Sequence, residues 1–104
     1  MYYANTGKAI FVNSTINSNT GATSGSGGGG GVYNGSNGTL VFRGCTISEN
    51  TSLRNGGGVY NGASATLHSC IVSANSAGDD GGGLFSANTN KAEWLIVNTT
   101  IARN

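Results

Sequence analysis

The chain writes one phrase twice and then varies it. The first copy, Gly29-Gly30-Gly31-Val32-Tyr33-Asn34-Gly35, runs on to Gly44-Cys45-Thr46-Ile47-Ser48-Glu49-Asn50. The second runs from Gly56 to Gly62 and on to Ser69-Cys70-Ile71-Val72-Ser73-Ala74-Asn75. A looser third begins at Gly81-Gly82-Gly83-Leu84-Phe85 and ends at Asn98-Thr99-Thr100-Ile101-Ala102-Arg103-Asn104. Cys45 and Cys70 are 25 residues apart, Gly29 and Gly56 are 27 apart, and the series Asn19, Asn50, Asn75, Asn104 steps by 31, 25 and 29. A period of about 20–50 residues marks a solenoid or an array, because each copy buries its apolar face only against its neighbours.

Each copy holds three short segments of alternating character separated by Gly, Asn and Ser. Examples are Val32-Tyr33, Leu40-Val41-Phe42 and Thr46-Ile47-Ser48. That is a strand pattern; no stretch keeps the apolar spacing of a helix. The fold expected is all-β: a right-handed parallel β-helix, or solenoid, of about four rungs with three short strands per rung. The right hand follows from crossover chirality. In such a coil, equivalent residues lie about 4.8 Å apart. The columns Ile16/Ile47/Val72/Ile101, Phe11/Phe42/Leu67/Ile96, Ala9/Leu40/Ala65/Trp94 and Met1/Val32/Val59/Leu84 are expected to face inward. Thr15/Thr46/Ile71/Thr100 and Asn17/Ser48/Ser73/Ala102 are expected to face outward. The Asn series can stack as an amide ladder at a turn. The Gly runs allow positive φ and a sharp bend. Segments 20–28, 51–55, 76–80 and 87–90 differ in length and are small and polar, so they read as loops.

At 104 residues the chain reads as a single module, 1–104, cut from a longer protein. Met1-Tyr2-Tyr3 lacks the basic start and apolar stretch of a signal peptide, and Met1 falls in the Val32/Val59/Leu84 column. The targeting signal is therefore expected elsewhere. With 19 Gly, 14 Asn and no Pro, composition alone would fit a disordered linker, but the apolar residues recur in register with the Gly runs. Charged residues are 9% and the net charge is +1, which gives no electrostatic basis for a nucleic-acid partner. No apolar run approaches the ~18 residues of a membrane span.

The Gly-Gly-Gly-Val-Tyr-Asn run at 29–34, followed by Cys45-Thr46-Ile47-Ser48-Glu49-Asn50 and repeated, resembles the right-handed parallel β-helix repeat proteins of bacterial surfaces. It is more loosely similar to the chlamydial polymorphic outer-membrane protein repeat, which reads Gly-Gly-Ala-aliphatic and Phe-x-x-Asn. Here Gly58 and Gly83 stand where that repeat has Ala, and Ile47 or Val72 where it has Phe. The resemblance implies a pectate-lyase-like coil located outside the cell or on a bacterial surface. Lyases, hydrolases, adhesins and passive spacers all share that architecture, so function has to be argued from the site.

The carboxylates are Glu49, Asp79, Asp80 and Glu93. A glycosidase pair needs two carboxyls about 5–9 Å apart, and no column assembles one. A calcium-assisted lyase reading would rest on Asp79, Asp80 and Lys91; the alternative is a solvated pair of loop acids. The Gly runs are not followed by Gly-Lys-Ser/Thr, so they are no phosphate loop. Cys45 and Cys70 share a column with Ser14 and Thr99, and read either as buried thiols or as a disulfide. His68, the only His, follows inward Leu67 and is expected at the surface, which leaves no metal site. Tyr2, Tyr33, Tyr60 and Phe85 form a column expected to face outward. It is the candidate ligand-contact site, for sugar rings or a partner protein; the competing reading is self-stacking. An ice-binding Thr column is interrupted by Ile71.

These readings converge on a non-catalytic extracellular module, a surface spacer or adhesin-like passenger segment, without cofactor or metal. The alternatives are a fragment of a polysaccharide lyase or glycoside hydrolase with its active residues elsewhere, and a carbohydrate-binding module using the aromatic column. The partners expected are a surface polysaccharide or a cell-surface protein. End-to-end self-association through uncapped rungs is a further expectation, since open strand edges template pairing.

Overall fold

The computed structural model describes residues 2–3, 7–21, 27–87 and 91–104. The first layer holds β1 (Tyr2–Tyr3), β2 (Lys8–Val12), β3 (Thr15–Asn17) and β4 (Thr20–Gly21). The second holds β5 (Val32–Asn34), β6 (Thr39–Arg43), β7 (Thr46–Ser48) and β8 (Thr51–Ser52). The third holds β9 (Val59–Asn61), β10 (Ser64–His68), β11 (Ile71–Ser73) and β12 (Ser76–Ala77). The fourth holds β13 (Leu84–Ser86), β14 (Glu93–Val97) and β15 (Thr100–Ala102). Like pairs with like: β1-β5-β9-β13, β2-β6-β10-β14 and β3-β7-β11-β15 are parallel four-stranded sheets. The chain is an all-β parallel solenoid of about three turns with three main strands per rung.

The register is that of the repeat. Phe11 pairs with Phe42, Phe42 with Leu67, and Leu67 with Ile96. In the two middle layers, Val32, Leu40, Phe42, Ile47, Val59, Leu67 and Val72 are fully buried. Each contributes about 1.5–3 kcal/mol by leaving water. Ile71 remains about half exposed, as its outward column requires. Met1, assigned to an inward column, lies outside the described residues.

The segments read as loops after each Asn are more ordered than expected. Thr20–Gly21, Thr51–Ser52 and Ser76–Ala77 form a fourth, three-stranded sheet. Loop positions 22–26 and 88–90 lie outside the described residues.

Two corners never vary in length. Two residues separate the second strand from the third in every layer, and two separate the third from the short fourth strand wherever that strand occurs. The first corner residue is always left-handed. At one corner these are Asn13, Gly44, Ser69 and Asn98, with φ 48°, 63°, 56° and 46°. At the other they are Ser18, Glu49, Ala74 and Arg103, with φ 55°, 57°, 55° and 58°. One left-handed residue turns the strand and aims the next side chain inward.

The inward residue of the second corner is the asparagine. Asn19 Nδ2 donates to Asn50 Oδ1, Asn50 Nδ2 to Asn75 Oδ1 and Asn75 Nδ2 to Asn104 Oδ1, each at 2.9 Å. The backbone N–H groups of Asn19, Asn50 and Asn75 donate to the same oxygens at 3.0–3.1 Å. The second Nδ2 proton of Asn50 goes back to Ile16 O, and that of Asn75 to Ile47 O, both at 2.9 Å. Each interior amide is thereby satisfied in a dry setting.

A second ladder, absent from the sequence reading, uses the Asn of Val-Tyr-Asn. Asn34 Nδ2 donates to Asn61 Oδ1 at 2.8 Å, and Asn61 Nδ2 donates to Ala63 O at 3.0 Å.

The Gly runs serve two purposes. Gly29, Gly56 and Gly81 hold positive φ, at 81°, 66° and 67°. The following two glycines lack positive φ; they are required for space. A Cβ on Gly57 would enter the carbonyls of Ser76 and Gly82, and one on Gly58 would press on the Asn75 amide.

Replacing the buried Asn50 with Ala removes four hydrogen bonds, to the N–H and Nδ2 of Asn19, to Ile16 O and to Asn75 Oδ1, and should cost on the order of 3 kcal/mol in urea unfolding, whereas exposed Asn17→Ala should cost under about 0.5 kcal/mol. Ala74→Gly relieves a left-handed alanine and should raise stability by about 0.5 kcal/mol, while Ala65→Gly in β10 should lower it by about 1 kcal/mol.

Candidate functional site

The aromatic column follows from strand alternation. In β5 and β9, Val32 and Asn34, and Val59 and Asn61, are buried. Tyr33 and Tyr60, between them, must point outward and are half-buried. Tyr33 and Tyr60 stack with centroids 4.7 Å apart and an interplanar angle of 12°. Tyr60 and Phe85 stack at 5.2 Å and 29°. Tyr2 is in register with Tyr33, but its side chain lies outside the described residues.

The spacing of parallel strands is also a good spacing for offset ring stacking. Tyr60 is thereby covered on both faces and offers mainly its edge and hydroxyl, while Phe85 is covered by Tyr60 on one face. The Gly run of the preceding corner lies against them: a Cβ on Gly28 would strike the Tyr60 ring.

At the next corner along the layers lies an open depression of about 380 Å³, lined by Asn37, Thr39, Ser64, Lys91 and Glu93 among others. Lys91 Nζ donates to Asn37 Oδ1 at 2.8 Å, tying the fourth layer to the second. Sequence reasoning missed this groove. Its signal was available in the register: Lys8, Thr39, Ser64 and Glu93 form one outward column that is polar in every layer. The groove can hydrogen-bond a hydroxylated ligand.

The carboxylates are dispersed. Glu49 sits at the corner before Asn50, Glu93 begins β14, and Asp79 and Asp80 follow the short strand β12. Asp79 pairs with Arg54 at 3.4 Å, and the Asp80 N–H donates to Asn55 Oδ1 at 3.0 Å. Lys91 stands in the groove, on the far side of the Gly81–Gly83 run and β13 in the chain. Among the described residues, no group of three His, Cys, Asp or Glu comes together. His68 is exposed and meets Ser69 Oγ at 3.1 Å.

Cys45 and Cys70 are buried free thiols. Their column makes one bond in all four layers. Ser14 Oγ donates to Val12 O at 2.9 Å, Cys45 Sγ to Arg43 O at 3.4 Å, Cys70 Sγ to His68 O at 3.3 Å and Thr99 Oγ1 to Val97 O at 2.9 Å. The position thus asks for a small donor that bonds two residues back, which Ser, Thr and Cys all supply.

Comparison of the chain with models of known protein families, with curated proteins and with solved structures gave no match in any of the three.

Both thiols should resist an aromatic disulfide reagent until the protein unfolds, so the reaction rate should track global opening. Cys70→Ser should keep the fold with a loss under about 1.5 kcal/mol, because the carbonyl of His68 keeps its donor.

Proposed function

We propose that the chain is a non-catalytic β-solenoid module of an exported protein, serving as a surface spacer or adhesin-like passenger segment. One observation carries this reading: the residues the chain repeats are occupied with each other. The Asn amides bond to Asn amides, the tyrosine rings stack on rings, and the small corner donors hold their own backbone. A repeated feature selected for catalysis would instead present its polar groups to solvent in a cleft. The resemblance of the Gly-Gly-Gly-Val-Tyr-Asn and Cys-Thr-Ile-Ser-Glu-Asn phrases to bacterial surface β-helix repeats supports the extracellular setting and the pectate-lyase-like relationship.

A second reading, contact with polysaccharide, is favoured by the polar groove of Asn37, Thr39, Ser64, Lys91 and Glu93. Stacked rings leave little face for a sugar, so this contact would run through hydrogen bonds rather than ring stacking.

A panel of plant and bacterial polysaccharides, assayed for cleavage and for binding with and without calcium, separates the readings. The spacer reading expects neither. Binding that survives Tyr60→Ala but is lost in Ser64→Arg would establish the groove; depolymerisation would overturn the non-catalytic reading altogether.

A further inference from the structure

The chain has four Asn-Gly steps: Asn34-Gly35, Asn37-Gly38, Asn55-Gly56 and Asn61-Gly62. At such a step the glycine nitrogen, with no Cβ beside it, can turn onto the carbonyl carbon of the asparagine side chain. The turn needs a side chain free to rotate and a glycine N–H free to leave its partners. The fold denies this at three of the four steps. Asn34 and Asn61 are 0% exposed. Asn34 Nδ2 donates to Asn61 Oδ1 at 2.8 Å and to Gly38 O at 3.2 Å. Asn61 Nδ2 donates to Glu93 O at 2.9 Å and to Ala63 O at 3.0 Å, and the Gly62 N–H donates to Asn34 O at 2.9 Å. At Asn55 the side-chain oxygen accepts the Asp80 N–H at 3.0 Å, and the Gly56 N–H donates to Asp80 O at 2.9 Å.

Asn37 is held differently. The third layer passes from β9 to β10 through two residues, Gly62-Ala63, whereas the second passes from β5 to β6 through four, Gly35-Ser36-Asn37-Gly38. The surplus makes a turn at Ser36 and Asn37, both exposed and outside the amide ladders. The Gly38 N–H makes no hydrogen bond among the described residues. Asn37 Nδ2 meets the Ser36 hydroxyl at 3.4 Å, and Asn37 Oδ1 accepts from Lys91 Nζ at 2.8 Å. An ammonium on that oxygen draws electron density from Cγ and steadies the oxyanion that forms when Cγ is attacked.

We propose that Asn37 is a site of spontaneous deamidation, driven by its own backbone, that resets the charge of the polar groove. The Gly38 nitrogen gives its proton to base and bonds to Asn37 Cγ. The Cγ–Nδ2 bond breaks, ammonia leaves and a succinimide ring closes. Water then opens the ring at either carbonyl, giving aspartate or isoaspartate. One water is consumed and one ammonia released, with no change of oxidation state. Isoaspartate adds a methylene to the main chain in a corner already longer than the stack needs. The aspartate product sets a carboxylate where Lys91 now meets an amide oxygen, so a neutral acceptor becomes an ion-pair partner. The groove, which already holds Lys91 and Glu93, gains one negative charge, and the formal net charge of the chain falls from +1 to zero. Neither the spacer reading nor the polysaccharide reading is assumed.

The folded chain, kept in mildly alkaline buffer at physiological temperature, tests this. Peptides cut after Lys8, Arg43, Arg54 and Lys91, sequenced by fragment mass, should gain one dalton at Asn37, split between aspartate and isoaspartate. Asn34, Asn55 and Asn61 should react more than about a hundredfold more slowly, since each must first open locally. In guanidinium that protection is lost, and all four should react within about threefold of one another. Isoelectric focusing of the folded chain should show one new acidic band, slower to appear in mild acid and absent from Asn37→Gln, an exposed change that spares the fold. An Asn37 that stays intact while the unfolded chain reacts overturns the proposal. So does an Asn37 that reacts no faster than the other three in the folded chain, or an acidic band that persists in Asn37→Gln. A lasting loss of ammonia without uptake of water also overturns it, because Lys91 Nζ and not Gly38 would then have captured Cγ.

Discussion

In-register stacking at the strand spacing is the constraint on which the rest depends. Every residue sits about 4.8 Å from the residue that the repeat spells in the same place. A column can therefore hold only side chains that tolerate their own kind. Aliphatics do so by burial, aromatic rings by offset stacking, Asn by donating and accepting at once, and small donors by bonding backward to their own strand. Like charges do not, since directly opposed like charges repel. Of the charged residues, Lys8, Arg43 and Glu93 lie in the strands and the others in the corners. In the sheets, Lys8 and Glu93 sit at opposite ends of one column with two neutral residues between them.

The corners divide the labour between rigidity and variation. Two corners are pinned at two residues by a left-handed residue followed by an inward one, and they cannot lengthen without breaking the amide ladder or the small-donor column. Variation in period falls on the other two corners, after the short fourth strand and after the Val-Tyr-Asn strand. Those are the corners that carry the Arg54–Asp79 pair and the polar groove. The groove is therefore the part of the molecule that could change without cost to the stack, which is where loops acquire function on a fixed scaffold.

Much of this was legible in the residues. The inward columns, the outward threonines, the surface His68 and the Asn19–Asn104 ladder all follow from the repeat read at a period of two within each segment. The short fourth sheet was not, because Thr-Ser and Ser-Ala dipeptides carry no alternation to recognise. The Asn34–Asn61 ladder was missed because its Asn lies in a strand beside Tyr, where it reads as part of a turn signal. The aromatic column was placed on the correct side by alternation. That its rings face one another, with both faces of Tyr60 covered, required their tilt and separation.

The sequence by itself determined the architecture, because a repeat of this length in short alternating segments can bury its apolar positions only by stacking on copies of itself. It determined which positions face inward, because alternation permits one parity or the other and only one parity is apolar throughout. The tertiary structure decided what the repeat cannot encode. It put Asn37, Thr39, Ser64, Lys91 and Glu93, drawn from three layers, around one groove, and it held Cys45 and Cys70 as separate thiols, each bonded to its own strand. The physical reason is that stacking fixes each column one at a time, whereas a groove arises between columns, where the distances belong to the packed coil alone.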